Sequence, residues 1–274
     1  MTALAVELRK LPAFVRRDFL VAWSYRMSFV SDLINLAGQA LVFAFIGKMI
    51  DTDQLPTFQG QQVTYLEFAA IGIALGTFIH FGLQRVSTVI RNEQLMGTLE
   101  SLLATPTRSA TLQIGSVFFD LIYIPLQTAL FLTAIALTFG LNLEPAGILP
   151  ATAVLLVFIP FVWGLGVLSA AATLTFRRGT NAVALGALLL ALGSGLYFPV
   201  DLLPDWVATL AELNPIALAV DGMRSALLGG AGWSEIGPIV AKLVPLSALS
   251  LLIGLGAFRL ALRREQRRGT LGLY

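Results

Sequence analysis

Few residues in this 274-residue chain could carry out chemistry. His80 is the sole histidine and there is no cysteine. Those two counts exclude a disulfide framework, a thiolate metal site, a cysteine nucleophile and a two-histidine zinc site. A serine paired with His80 is the one nucleophilic constellation left. A lone histidine near the end of an apolar run reads instead as a hydrogen-bonded packing residue. Gly47-Lys48-Met49 lacks both the glycine-rich lead-in and the terminal hydroxyl of a phosphate-cradling loop, so no ATPase site is expected in the chain itself. Asp32, Asn35 and Asp120 fall inside apolar runs. A charge at membrane depth costs about 2.5–3.5 kcal/mol on insertion scales and invites a functional reading. Their positions near the ends of the runs favour pairing with neighbouring helices, and they do not form a proton relay.

The segment Arg91 to Pro106 is richer. It holds Arg91, Asn92, Glu93 and Glu100 beside Leu95, Met96, Leu99 and Leu103, with Gly97 and Thr98 in the middle. Carboxylates and cations interleaved with apolar side chains predict a short amphipathic helix at the membrane surface, ended by Pro106. Its leucines and methionine can insert into a groove on another protein, and Gly97 permits close backbone approach.

The elements that hold these residues are set by composition. Hydrophobic residues make up 57% of the chain and charged residues 12%, against about 25% charged in a soluble domain. A hydrocarbon core of roughly 30 Å needs about 20 apolar residues per helix. Six blocks meet that length: Phe29–Ile50, Val63–Leu83, Leu112–Leu137, Ile148–Phe176, Ala182–Phe198 and Ile239–Phe258. The expected fold is an all-α membrane protein of six transmembrane helices in a single domain over residues 29–258. Residues 1–28 should form an amphipathic interfacial helix, since Leu4, Leu8, Leu11, Val15, Phe19 and Trp23 recur at helical spacing beside Arg9, Lys10, Arg16 and Arg17. Residues 259–274 form a basic tail. No cleaved leader is expected, because five cations precede the first apolar block.

Lysines and arginines decide the orientation. The N-terminal segment holds five, the second connection three, the fourth two and the tail five, which places 15 of 18 on one face. Short loops rich in them stay cytoplasmic, so both termini are expected in the cytoplasm of a plasma-membrane protein. The net charge of +2 is dispersed in these small clusters and offers no nucleic-acid surface.

Between the fifth and sixth blocks, residues 199–230 are too short for two further spans. Asn214-Pro215 biases its first residue away from helix. Two short helices that dip into the outer leaflet and return are expected, with a surface-lying amphipathic pair as the alternative. Gly72, Gly76 and Thr77 in the second block, and Gly186, Gly193, Ser194 and Gly195 in the fifth, are small residues expected at close helix packing or a dimer seam.

The run Asn92-Glu93-Gln94-Leu95-Met96-Gly97-Thr98-Leu99-Glu100-Ser101-Leu102-Leu103-Ala104-Thr105-Pro106 resembles the cytoplasmic motif of the permease subunits of type-2 ABC exporters, with Gln94 and Leu95 where many members carry charged or polar residues. Leu203-Pro204-Asp205-Trp206, Leu213-Asn214-Pro215 and Val220-Asp221-Gly222-Met223-Arg224 resemble the segment after the family's fifth span. The resemblance implies a permease paired with a second copy or close homologue and with two cytoplasmic ABC ATPase subunits. It implies no cofactor in this chain, ATP and Mg being bound by the partner. Residues 91–106, with Arg91, Asn92, Glu93, Met96, Gly97, Thr98, Leu99 and Glu100, would be the coupling helix. Residues 199–230, with Phe198, Pro199, Asp201, Pro204, Asn214, Pro215 and Arg224, would form an extracellular re-entrant gate. The expected cargo is a lipophilic small molecule, drug or lipid passing Phe78, Phe81, Tyr197 and Phe198. The alternative cargo is a polysaccharide or teichoic acid, and a stand-alone intramembrane enzyme or proton-coupled carrier is the contrasting class.

Overall fold

The computed structural model describes residues 26–47, 62–95, 109–176 and 179–268, with isolated positions elsewhere. These residues are helical throughout, joined by turns, and contain no β-strand. In chain order the helices are α1 (Arg26–Gly47), α2 (Tyr65–Leu95), α3 (Ser109–Phe139), α4 (Ile148–Thr175), α5 (Gly179–Leu192), α6 (Asp205–Ala211), α7 (Pro215–Gly229) and α8 (Trp233–Arg268). Three stretches of them are long and apolar enough to cross a membrane: Tyr65–Gln84, Pro145–Thr175 and Trp233–Glu265. Pro125–Phe139 and Asn181–Leu192 are shorter apolar helices. Most of the expected interfacial helix over residues 1–28 lies outside the described residues, as do positions 269–274 of the tail.

α4 is the central rod, packed against α2, α8, α5 and α7. It buries Val154, Phe158, Val162, Ala170 and Leu174 along its length. Its tightest seam is with α8. A Cβ on Gly164 would meet the Ser250 backbone, and one on Gly254 would meet the Gly164 backbone. Two backbones that close leave room for hydrogen only, and the Ser250 hydroxyl donates to the Phe161 carbonyl across the seam at 3.0 Å. Farther along α4, Ser87 of α2 donates to Ser169 at 2.7 Å, a buried hydroxyl pair that satisfies both side chains without water.

Three expected boundaries move. α2 runs on without a break to Leu95, so Arg91 to Leu95 continue it, and the rest of the expected coupling helix lies outside the described residues. α8 begins at Trp233 and continues through most of the expected basic tail to Arg268. At 36 residues it is about 54 Å long, well beyond a hydrocarbon core of roughly 30 Å, so its arginine-rich end projects from the apolar layer. The fifth block was expected as a helix to Phe198, but α5 stops at Leu192 after 14 residues, about 21 Å. Gly193, Ser194 and Gly195 turn the chain out of the helix there, with Gly195 at φ +72°, a conformation that side chains with a Cβ rarely adopt.

Candidate functional site

The broken end of α5 creates a chemical problem. Carbonyls of a non-helical turn have lost their helical donors, and against a membrane-length helix no water replaces them. Gly72 of α2 is where this turn packs, since a Cβ there would collide with the Leu196 carbonyl oxygen. The donor that answers it is Arg224 of α7, which is 1% exposed. Its Nη1 donates to the Gly195 carbonyl at 2.8 Å and its Nη2 to the Leu196 carbonyl at 2.8 Å. Nε and Nη2 donate together to the Phe68 carbonyl of α2, at 3.1 and 3.0 Å. The guanidinium carbon also sits 3.4 Å from the centroid of the Phe68 ring. Five donors in a rigid planar fork can serve three carbonyls and an aromatic face at once, which an ammonium cannot. The carboxylate of Asp221, one turn earlier on α7, supplies the opposing charge.

Asn214 closes the other side. Its Oδ1 accepts from the Ile216 amide at 3.0 Å, capping α7, while its Nδ2 donates to the Leu190 carbonyl in the last turn of α5 at 2.7 Å. One side chain thus satisfies an orphan donor at one helix start and an orphan acceptor at another helix end. Pro215, which has no amide hydrogen to lose, occupies the first helical position behind it. Asn214→Ala is expected to cost about 1–2 kcal/mol, read as a lowered unfolding midpoint of the purified chain, whereas Asn214→Asp keeps the cap but sets a buried carboxylate oxygen against the Leu190 carbonyl and should also destabilise.

The start of α2, directly before Phe68, is pinned by Glu67, a residue that the reading of carboxylates passed over. Its Oε2 accepts from the Thr64 amide and hydroxyl at 2.7 and 2.9 Å, and its own amide donates to the Thr64 hydroxyl at 3.3 Å. This is a capping box at the start of α2. The second oxygen accepts from the Asn142 amide at 3.1 Å, tying α2 to the loop before α4. Threonine followed three residues later by glutamate at the head of an apolar run is the signal that would have found it.

α7 itself is buried on nearly every side, including Ile216, Ala219, Val220, Met223 and Leu227, against α4, α8 and α2. Its last turn is held where the Glu144 amide donates to the Leu227 carbonyl at 2.8 Å.

The expected gate residues therefore divide. Arg224 and Asn214 converge on the turn at 193–198, Pro199 is buried and Phe198 and Pro215 are half-buried at its edge. Asp201 and Pro204 are exposed and take no part in it. The suggested path residues divide as well. Phe78 and Phe81 line a narrow cleft between α2 and α3 with Thr77, Gln127, Thr128 and Phe131. Gln127 Nε2 is buried there with no acceptor among the described residues. Tyr197 belongs to the same hydrophobic core but does not line this cleft; it is stacked on Phe43 at 5.8 Å and accepts through its carbonyl from the Tyr65 hydroxyl at 3.0 Å. His80 is exposed, edge-on to Phe81 at 6.1 Å, and makes no hydrogen bond among the described residues. Of the expected coupling residues, Arg91, Asn92 and Glu93 are backbone positions in the last turn of α2, while Met96, Gly97, Thr98, Leu99 and Glu100 lie outside the described residues. Among the small residues, Gly72 and Gly76 do pack closely, against Leu196 and Tyr197, and Gly186 faces open space.

Comparison with known proteins adds two findings. Residues 9–228 match the family described as ABC-2 type transporter. The linearmycin resistance permease protein LnrN of Bacillus subtilis (strain 168) is 25% identical over 206 residues, covering 73% of this chain and 51% of that protein. The chain thus spans about half the length of this curated relative.

Proposed function

Since this chain belongs to the ABC-2 type transporter family, we propose that it is the six-span permease of an ATP-driven exporter for a lipophilic small molecule or lipid. The observation that carries this reading is the extent of the family match, which takes in both the 91–106 motif and the segment around Asn214 and Arg224. α1 and α3 add two spans to α2, α4 and α8, the short α5 with the turn at 193–198 behind it makes the sixth crossing, and the cation distribution supports cytoplasmic termini. The near-complete burial of α7 supports a re-entrant segment over a surface-lying one. Energy comes from two ATPase subunits that bind ATP and Mg, and a second copy or close homologue completes the pathway. A lipophilic cargo is favoured because Arg224 spends its donors on protein carbonyls and does not hold them free for a phosphate-rich chain. A relative named for linearmycin resistance fits outward movement of a harmful compound.

The test is coupling. The purified chain alone should not hydrolyse ATP, whereas a complex co-expressed with its ATPase should. In that complex Glu93→Ala, Gly97→Leu and Glu100→Arg are expected to lower stimulated hydrolysis and export by tenfold or more, because a mispaired interface charge costs several kcal/mol. Membrane insertion should be unchanged. Wild-type export by all three would mean that residues 91–106 are a mere connector.

A further inference from the structure

At the end of α4 and α8 remote from Glu67, an open hollow of about 310 Å³ lies along the seam of the two helices, beside the packed side chains of Ala170, Leu174, Phe258 and Leu262. Small side chains make it. Ala171 and Ala172 on α4 face Ala257 and Ala261 on α8, so neither helix fills the space, and Leu168 and Leu260 wall it. Arg264 stands at its mouth. A second hollow adjoins it through Leu260 and Arg264 and adds Arg263 and Arg267, so that three cations gather within little more than one turn of α8. Among the described residues no acidic side chain lines either hollow. Leu260 and Phe176, both about two-thirds exposed, border the apolar part and leave it uncovered (69% and 65%).

We propose that this paired hollow binds one anionic phospholipid, an acyl chain lying along the alanine floor and the phosphate seated among Arg263, Arg264 and Arg267. Two observations select a lipid over a soluble partner. The floor residues belong to the membrane-length apolar stretches Pro145–Thr175 and Trp233–Glu265, so the hollow opens on hydrocarbon, where a cytoplasmic protein cannot enter. The three arginines lie in the last turns of α8, a helix too long for the hydrocarbon core whose end reaches the level of lipid headgroups, and basic pockets between spanning helices match the charge found there. A zwitterionic lipid shares the acyl chain but brings a cation of its own to three arginines. The inference rests on α4 and α8 crossing the bilayer and does not depend on what the chain transports.

The full chain, purified in detergent and stripped of lipid, is titrated with phosphatidylglycerol, phosphatidylcholine of the same acyl chains, or glycerol 3-phosphate, and bound lipid is counted by native mass spectrometry. Phosphatidylglycerol should be retained at one molecule per chain, phosphatidylcholine much less and glycerol 3-phosphate not at all. The combined variant Arg263→Gln, Arg264→Gln, Arg267→Gln should bind it on the order of a hundredfold more weakly. Ala172→Leu fills the floor without changing charge and should also lose the lipid while melting as the wild type does. Equal retention of the two lipids, or displacement by glycerol 3-phosphate, overturns the proposal. So does full retention by the Ala172→Leu chain, which would reduce the effect to surface attraction. Unchanged lipid binding by the triple variant, with loss of a co-purifying ATPase, would make this a protein-docking surface instead.

Discussion

Arg224→Met is expected to remove about 3–5 kcal/mol of stability, the range for a buried charged group taken from its partners. Methionine fills similar volume and fits an apolar surround, and a buried ion can often be exchanged for such a residue at little cost. Here the exchange fails because the carbonyls of Phe68, Gly195 and Leu196 stay behind. Each buried acceptor stripped of its donor costs about 1–3 kcal/mol, and none can turn to water from this position. Asp221 also loses its opposing charge. Thermal unfolding of the purified chain should shift down by roughly 10 °C or more, or the folded peak should vanish from size-exclusion chromatography. Arg224→Lys separates charge from geometry. A single ammonium cannot span three carbonyls, so lysine should recover only a minor part of the loss. If the methionine chain melts with the wild type, the 193–198 turn is held by something other than Arg224.

Gly72→Ala adds a single methyl and should still cost about 3 kcal/mol, the upper part of the range for overpacking. The new carbon would overlap the carbonyl oxygen of Leu196, a backbone atom that no rotamer change can move aside, and would press to 3.2 Å from Arg224 Nη2. Relief requires the turn to back away from α2, which stretches the bonds from Arg224 to Gly195 and Leu196. Gly186→Ala supplies the control. A Cβ there meets no atom within 4 Å, so the change should be neutral or gain up to about 1 kcal/mol, since alanine is the better helix former. The comparison is made by thermal unfolding of both variants. Equal melting of the two would show that the close approach of α2 and the turn is not a constraint.

Much of this architecture was legible in residue type and spacing. Blocks of about 20 apolar residues can satisfy their backbone in lipid only as helices, so α2, α4 and α8 followed from composition and length alone. Asn214-Pro215 marked a helix start because proline tolerates the first helical position and asparagine caps it, both local effects that need no knowledge of neighbours. The 91–106 and 203–224 motifs pointed to the family for the same reason, being short contiguous strings. Hydropathy could not place the end of α5. Gly193 to Phe198 is apolar enough to extend the span, and the helix stops because Arg224, 29 residues from Gly195, offers its carbonyls a donor. Nor could periodicity show that Phe78 and Phe81 line the cleft between α2 and α3 while Tyr197 stacks on Phe43, since facing directions depend on which helices close around them. Arg224 itself was expected on the outer face as a gate residue, and its burial over the Phe68 ring was invisible to charge counting. The interior of a membrane protein tolerates an arginine only where several distant carbonyls converge, and convergence of groups from α2, the 193–198 turn and α7 is a property of the tertiary structure alone.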